Sequence, residues 1–263
     1  MPKFAANLTM LYTDSPFPER FDRAKASGFH FVEYLFPYEH ETRSLANALA
    51  KNGLTQVLFN LPAGNWGAGD RGIAVFPDRI DEFRQGVVRA IEIAKILKVK
   101  QLNCLAGKRD VSGKIPLADQ NRVMIENLRY AASELGKHDI LLVIEMLNPY
   151  DVPDFMIASP RAAFSVQDQV ASPNLKIQYD VYHAQRTEGE LANTFKNNLG
   201  RIAHVQIADN PGRHQPGTGE INYRYLFNWM DYVGYMGYVG LEYIPEGVTE
   251  QTLGWVAEYG YQL

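Results

Sequence analysis

The sequence predicts an α/β chain folded as a single-domain (β/α)8 TIM barrel over residues 1–263. Three observations support this. Eight apolar, strand-like runs recur along the whole chain. Amphipathic stretches with apolar residues at i, i+3, i+4 and i+7 fall between them. At 263 residues and 46% hydrophobic content the chain has the usual size of such a barrel, ~250 residues, and can bury a large core. An open doubly wound sheet would use the same alternation, but eight is the number at which a parallel sheet closes. No segment reads as a linker or as low complexity.

The first run, KFAANL at 3–8, opens the chain; Asn7 and Thr9 interrupt its apolar stretch, which suits a strand better than a signal peptide. HFVEYLF (30–36) and TQVLFNL (55–61) follow. RIDEFRQGVVRAIEIAKILK (79–98) carries the helical period before KQLNCLA (100–106). ADQNRVMIENLRYAASELGK (118–137) repeats the period ahead of ILLVIEM (140–146). The remaining strands are LKIQYD (175–180), IAHVQIA (202–208) and YVGLEY (238–243). Parity then assigns faces: Ile202, His204 and Gln206 point into the barrel, and Ala203, Val205 and Ile207 face the outer helices. Gln178 and Asp180 point inward by the same parity, with Ile177 and Tyr179 outward. The tail WVAEYGYQL packs either on the barrel or on a neighbouring subunit, and a homo-oligomer is left open.

Charge and cysteine content narrow the function. Net charge is −4 with no block of basic residues, which disfavours nucleic acid as a partner. Cys104 is the only cysteine, so no intrachain disulfide forms; it reads as a small buried hydrophobe. No stretch approaches the ~18 apolar residues of a membrane span, so a membrane is not expected and the cytoplasm is the default compartment.

Four polar residues close four successive apolar runs: Glu145, Asp180, Gln206 and Glu242. Burying such groups is costly unless they share a partner, and a divalent cation is the simplest one. All four offer oxygen, which suits Mg2+ or Mn2+ better than Zn2+. Their position is the C-terminal mouth, where barrel enzymes place their chemistry. Arg213 and Lys108, in loops after the seventh and fourth strands, are candidates for binding a substrate carboxylate. Asn60 and Asn103 end the third and fourth strands, where they would line the pocket or serve turn chemistry. Gly67-Ala68-Gly69-Asp70-Arg71-Gly72 fits G-x-G-x-x-G, yet it leads into IAVFPD and not into a helix, so a mobile lid is a better reading than a dinucleotide site. Asn7-Leu8-Thr9 matches a glycosylation sequon that carries no weight without a secretory signal.

The segments FAANLTMLYTD, VEYLFPYE, LFNLPAGNWGAGDRGIA, IQYDVYHAQRTEGELANT, HVQIADNPGRHQPGTGEINY and GLEYIP resemble those of the hydroxypyruvate isomerase family, within the xylose-isomerase-like TIM barrels. The resemblance covers nearly the full length. It implies an isomerase interconverting hydroxypyruvate and tartronate semialdehyde, small hydroxy-oxo acids, with the four-carbon dehydrotetronates as the alternative substrate. It also implies that Glu145 and Glu242 form the acid/base pair while touching the metal, and that His183 contacts the substrate. Related ketose epimerases carry histidine where Gln206 stands, a departure that favours Mg2+ or Mn2+ here. Two other classes fit the sequence less well. A phosphodiesterase on the same barrel is disfavoured because such enzymes assemble histidine-rich zinc clusters, and only six histidines occur here. A non-catalytic sugar-acid binding protein is disfavoured by the intact glutamate pair.

Overall fold

Each strand-like run forms a strand, in the computed structural model that describes residues 2–263. They are β1 (Lys3–Asn7), β2 (Phe31–Glu33), β3 (Thr55–Asn60), β4 (Gln101–Cys104), β5 (Leu141–Glu145), β6 (Leu175–Asp180), β7 (Ile202–Ile207) and β8 (Tyr238–Leu241). All pair in parallel in chain order, and β1 pairs with β8 to close the barrel. The two long amphipathic stretches form helices Ile80–Leu97 and Leu117–Gly136. Phe83, Val87, Ala90, Ala94 and Leu97 of the first, at helical spacing, are buried in the layer between helices and barrel. No helix among the described residues is long and apolar enough to cross a membrane.

The barrel interior is a separate and smaller core. Ala5, Val57, Leu58 and Val143 fill it, with Phe31, Leu141, Ala203 and Tyr238 packed against them. Ile202 departs from the parity reading. The β6–β7 register pairs Ile177 with Ile202 but Gln178 with His204, so one residue of β7 is extra. That irregularity turns Ile202 to the outer core and leaves Ala203 against the inner one.

Toward the C-terminal end the interior becomes polar. Gln101, Glu33, Gln178, His204, Gln206 and Asn7 are all buried. His204 Nδ1 lies 3.0 Å from Gln101 Nε2, and its Nε2 lies 2.7 Å from Glu33 Oε2. Glu33 Oε1 accepts from Gln206 Nε2 at 2.7 Å and from Asn7 Nδ2 at 3.0 Å. A network of this kind stabilises only as far as its members are satisfied: Glu33 Oε1 takes two hydrogen bonds, whereas Glu33 Oε2, His204 Nε2 and Gln178 Oε1 meet no partner in hydrogen-bond geometry. Space for the Glu33 carboxylate comes from Gly240, the inward residue of β8 opposite Gln206. A Cβ on Gly240 would fall 2.3 Å from Glu33 Oε1.

The aromatic tail belongs to the same chain's core. Trp255 and Tyr261 meet Phe4 of β1 edge-on at 5.4 and 5.9 Å, and Trp255 stacks on Phe227 at 5.6 Å. Cys104 is buried, and burial pushes its thiol up to about 12, which removes it from thiolate chemistry.

Candidate active site

Glu145 is the last residue of β5, Asp180 of β6, and Glu242 follows β8, its N–H bonded to Ile207 O at 3.1 Å. Strand pairing therefore delivers all three carboxylates to the same end of the barrel, and all are buried. Asp180 has a second duty as N-cap of the short helix Val181–Gln185. Its Oδ1 accepts from Tyr182 N at 2.8 Å and His183 N at 3.3 Å. The cap folds the chain back so that His183 Nε2 reaches 3.6 Å from Asp180 Oδ2 and 4.0 Å from Glu145 Oε1.

The tautomer of His183 follows from its other nitrogen. Nδ1 lies 3.1 Å from the backbone nitrogen of Asn148, a group that can only donate, so Nδ1 accepts and neutral His183 carries its hydrogen on Nε2. Burial, and then the charges of Arg213 and Arg186, hold its pKa well below the usual value. Nε2 has no hydrogen-bond partner. A buried N–H at the cavity wall is thus a donor that no group of the protein engages. Although Glu145, Asp180 and His183 offer atoms within 4.8 Å of one another, this tautomer makes His183 a hydrogen-bond donor and leaves metal ligation to oxygen.

The carboxylates repel one another in a dry place. Burial raises the Glu145 pKa well above the usual value, with the Glu242 and Asp180 charges adding to the shift. Asp180 is raised by burial against the opposing pull of Arg213. Burial likewise pushes Glu242 up to about 8, partly offset by Arg213, whose Nη2 donates to Glu242 Oε2 at 2.7 Å. Three acids and one guanidinium make an excess of negative charge and an all-oxygen donor set, which a hard divalent cation fits.

Above them opens a cavity of about 290 Å3, at the small end for ligand sites. Glu145, Glu242, His183, Arg213, Arg71, Asn60 and Asp151 supply its polar wall. Met10, Leu35, Leu105, Leu147 and Val152 supply the apolar one.

Comparison with known proteins assigns the chain to a family. Residues 21–259 match the model of the xylose isomerase-like TIM barrel family. Hydroxypyruvate isomerase of Escherichia coli is 48% identical over 259 residues, covering 98% of this chain and 100% of the relative. The chain belongs to the hydroxypyruvate isomerase family of xylose isomerase-like TIM barrels. The 2-oxo-tetronate isomerase of Pectobacterium atrosepticum is also similar, 43% identical with 97% of each chain covered. Among solved structures, one named AP endonuclease, family 2 from Brucella melitensis superposes with a TM-score of 0.94 at 42% identity, covering 98% of this chain and 99% of its own. D-psicose 3-epimerase of Clostridium cellulolyticum, at 15% identity and a TM-score of 0.77 with 96% and 89% covered, shares the fold.

The remaining expected residues divide. Gln206 stands beside Asp180 in register, but its amide is engaged: Oε1 accepts from Gln178 Nε2 at 2.5 Å while Nε2 donates to Glu33. A carboxylate can only accept, so Glu33 fixes which end of that amide faces it, and only the second lone pair of Oε1 is left for another partner. Asn60 and Asn103 are buried supports, not turn residues: Asn103 Nδ2 donates to Asn60 Oδ1 and to Glu145 Oε2, both at 3.1 Å. Lys108 does not line the cavity; it bridges Phe155 through the backbone, and the second cation of the cavity wall is Arg71. Asn7, the apparent sequon, is buried, with Nδ2 3.4 Å from Glu242 Oε1 as well as bonded to Glu33. The 67–72 glycine segment runs into an antiparallel bridge between Ile73 and Gly107, not into a helix.

Sequence reasoning missed Glu33, Arg71 and Asp209. Glu33 carried the signal that found Glu145, a charged residue inside an apolar run. Asp209 is buried and its carboxylate accepts from the backbone nitrogens of Asn210, Gly217, Gly219 and Ile221 at 2.9 to 3.1 Å. It thereby shapes the loop that holds Arg213, itself in the left-handed region at φ 57°.

Proposed function

We propose that this chain interconverts hydroxypyruvate and tartronate semialdehyde through an enediolate. The observation that carries the reading is the meeting of Glu145, Glu242 and the Nε2–H of His183 in one small cavity, in a chain similar along its full length to a hydroxypyruvate isomerase. Turnover requires a proton to leave the hydroxymethyl carbon, a proton to reach the former carbonyl carbon, and the hydroxyl proton to move between the two oxygens. Glu145 and Glu242 are the groups able to take and give the carbon-bound protons, and burial raises the pKa of both, that of Glu242 to about 8, which strengthens each as a base in the metal-free site. His183 Nε2 donates to an oxygen that gains charge, and because its pKa is depressed it remains a neutral donor. Arg213 holds Glu242 in place and offsets charge at the same spot.

Glu145, Asp180 and Glu242, with the free lone pair of Gln206, are the donors that would hold Mg2+ or Mn2+. Such an ion, when bound, supplies Lewis-acid stabilisation of the enediolate worth several kcal/mol.

Two other readings give way to this one. The similarity to 2-oxo-tetronate isomerases makes four-carbon oxo acids the alternative substrate. A phosphodiesterase reading has the name of the Brucella structure in its favour, but His183 is the one histidine lining the cavity, too few for a histidine-rich zinc cluster. Following tartronate semialdehyde from hydroxypyruvate with a coupled reductase, beside a 2-oxo-tetronate control, tests the proposal. Activity that survives exhaustive chelation contradicts the metal, and no turnover of either acid contradicts the reaction.

A further inference from the structure

We propose that Arg71 anchors the carboxylate of the substrate and thereby selects hydroxy-oxo acids over neutral hydroxy ketones. This rests on the isomerase reading of the same site. Two cations line the cavity, Arg71 and Arg213, and their surroundings differ. Arg213 is already committed, with Nη2 on Glu242 and its guanidinium over the Tyr182 ring at 5.2 Å. Counting charge sharpens the difference. Glu145, Asp180 and Glu242 are balanced by Arg213 and one divalent cation, so the carboxylate of a substrate brings a fourth negative charge with no partner among them. Arg71 has no carboxylate partner: its Nη1 donates to the carbonyls of Trp66 at 3.2 Å and Asp70 at 2.7 Å. Those carbonyls hold one corner of the guanidinium and leave the charge uncompensated. Among side-chain cations, only arginine offers a planar fork that takes a carboxylate in two parallel bonds.

The fork is also held in place, as a recognition element must be. Its guanidinium carbon lies 3.8 Å from the centre of the Trp66 ring. Trp66 in turn meets Phe36 edge-on at 5.1 Å. The backbone on either side is pinned: Asp70 Oδ2 accepts from Asn65 N at 2.7 Å and Arg79 Nη1 at 2.8 Å, and Gly72 N donates to Ala63 O at 3.0 Å. Gly72 lies so close to β4's outgoing chain that a Cβ there would fall 1.9 Å from Leu105 O. Cation, orientation and pinning thus coincide at the rim of the cavity that holds the glutamates.

Dihydroxyacetone tests the proposal, because it is hydroxypyruvate with the carboxylate replaced by a hydroxymethyl group and undergoes the same isomerisation, to glyceraldehyde. For Arg71→Gln we expect KM for hydroxypyruvate to rise roughly 10- to 100-fold, the loss expected when charge-assisted bonds to one ionised group are removed. The preference for hydroxypyruvate over dihydroxyacetone should shrink by a similar factor. Arg71→Lys should recover part of the preference, and free guanidinium added to Arg71→Ala should recover part of the KM, neither of which a purely structural role produces. Thermal melting of each variant separates unfolding from loss of recognition. If the natural enzyme isomerises hydroxypyruvate and Arg71→Gln keeps its preference, Arg71 is not the anchor and the reaction stands. If the natural enzyme turns over neither acid nor ketone, the isomerase reading falls and this proposal with it.

Discussion

Exchanging Glu33 for alanine removes the carboxylate at which the polar interior of the barrel converges. It deletes hydrogen bonds from Gln206 at 2.7 Å and Asn7 at 3.0 Å and the 2.7 Å contact with His204, all without access to water. Leaving two buried amide donors without their acceptor costs about 1–3 kcal/mol each, centred on about 3–5 kcal/mol for the two. At ~2.1 cal/mol/K of unfolding entropy per residue, 263 residues give about 0.55 kcal/mol per degree, so Tm should fall by roughly 5–9 °C. Gly240→Ala attacks the same contact from the other side. Its methyl would sit 2.3 Å from Glu33 Oε1, and overpacking of that kind costs about 1–3 kcal/mol. In the double variant the methyl enters space the carboxylate has vacated, so the two penalties should fall short of additive by about 1 kcal/mol or more. Thermal unfolding of the four proteins, each stripped of metal, measures the cycle. A Glu33→Ala protein melting within about 2 °C of its parent would refute the energetic role of the carboxylate. Strict additivity would refute the claim that Gly240 exists to make room for it.

Three further outcomes are expected. Metal-free protein should lose stability as pH rises from about 4.5, the ordinary glutamate value, to about 8: in that window folded Glu242 retains a proton that the unfolded chain has released, and saturating Mg2+ should flatten the slope, as calorimetry at stepped pH would show. Glu145→Gln and Glu242→Gln should each fold and lower kcat by ~10^2-fold or more, and solvent deuterium should fail to enter substrate only in the variant lacking the base; near-normal turnover in either would reduce that glutamate to a ligand. Asp209→Ala frees four backbone N–H groups in the loop of Arg213, so proteolysis within 209–221 should quicken and kcat/KM drop, whereas an unchanged cleavage pattern would mean the loop is held by other means.

The strands were legible because each buries at least one face, and burial writes itself into sequence as apolar runs of strand length. The three acids were legible for the converse reason, since a carboxylate at the end of such a run demands an explanation. Glu33 sends the same signal from within HFVEYLF, but its partners, His204 and Gln206, lie more than 170 residues away, and no local pattern joins them. The extra residue in β7 that turns Ile202 outward is likewise a matter of pairing between strands, which alternation within one strand does not reveal. Arg71 and Lys108 show the limit most plainly. Both are loop cations after a barrel strand, and only the path of each loop decides that one lines the cavity and the other does not.

Closure of the barrel also has a temporal meaning. Asn7 sits in the first strand made, whereas Glu242, 235 positions later, follows the last, and the two meet through the β1–β8 seam. Contacts of such separation are the slowest to form. A chain emerging from the ribosome can therefore fold much of its helical shell while it has neither a complete acid cluster nor a reactive pocket. On the proposed role of Glu242, a product truncated before Tyr238 lacks one of the two proton carriers and should show no isomerase activity.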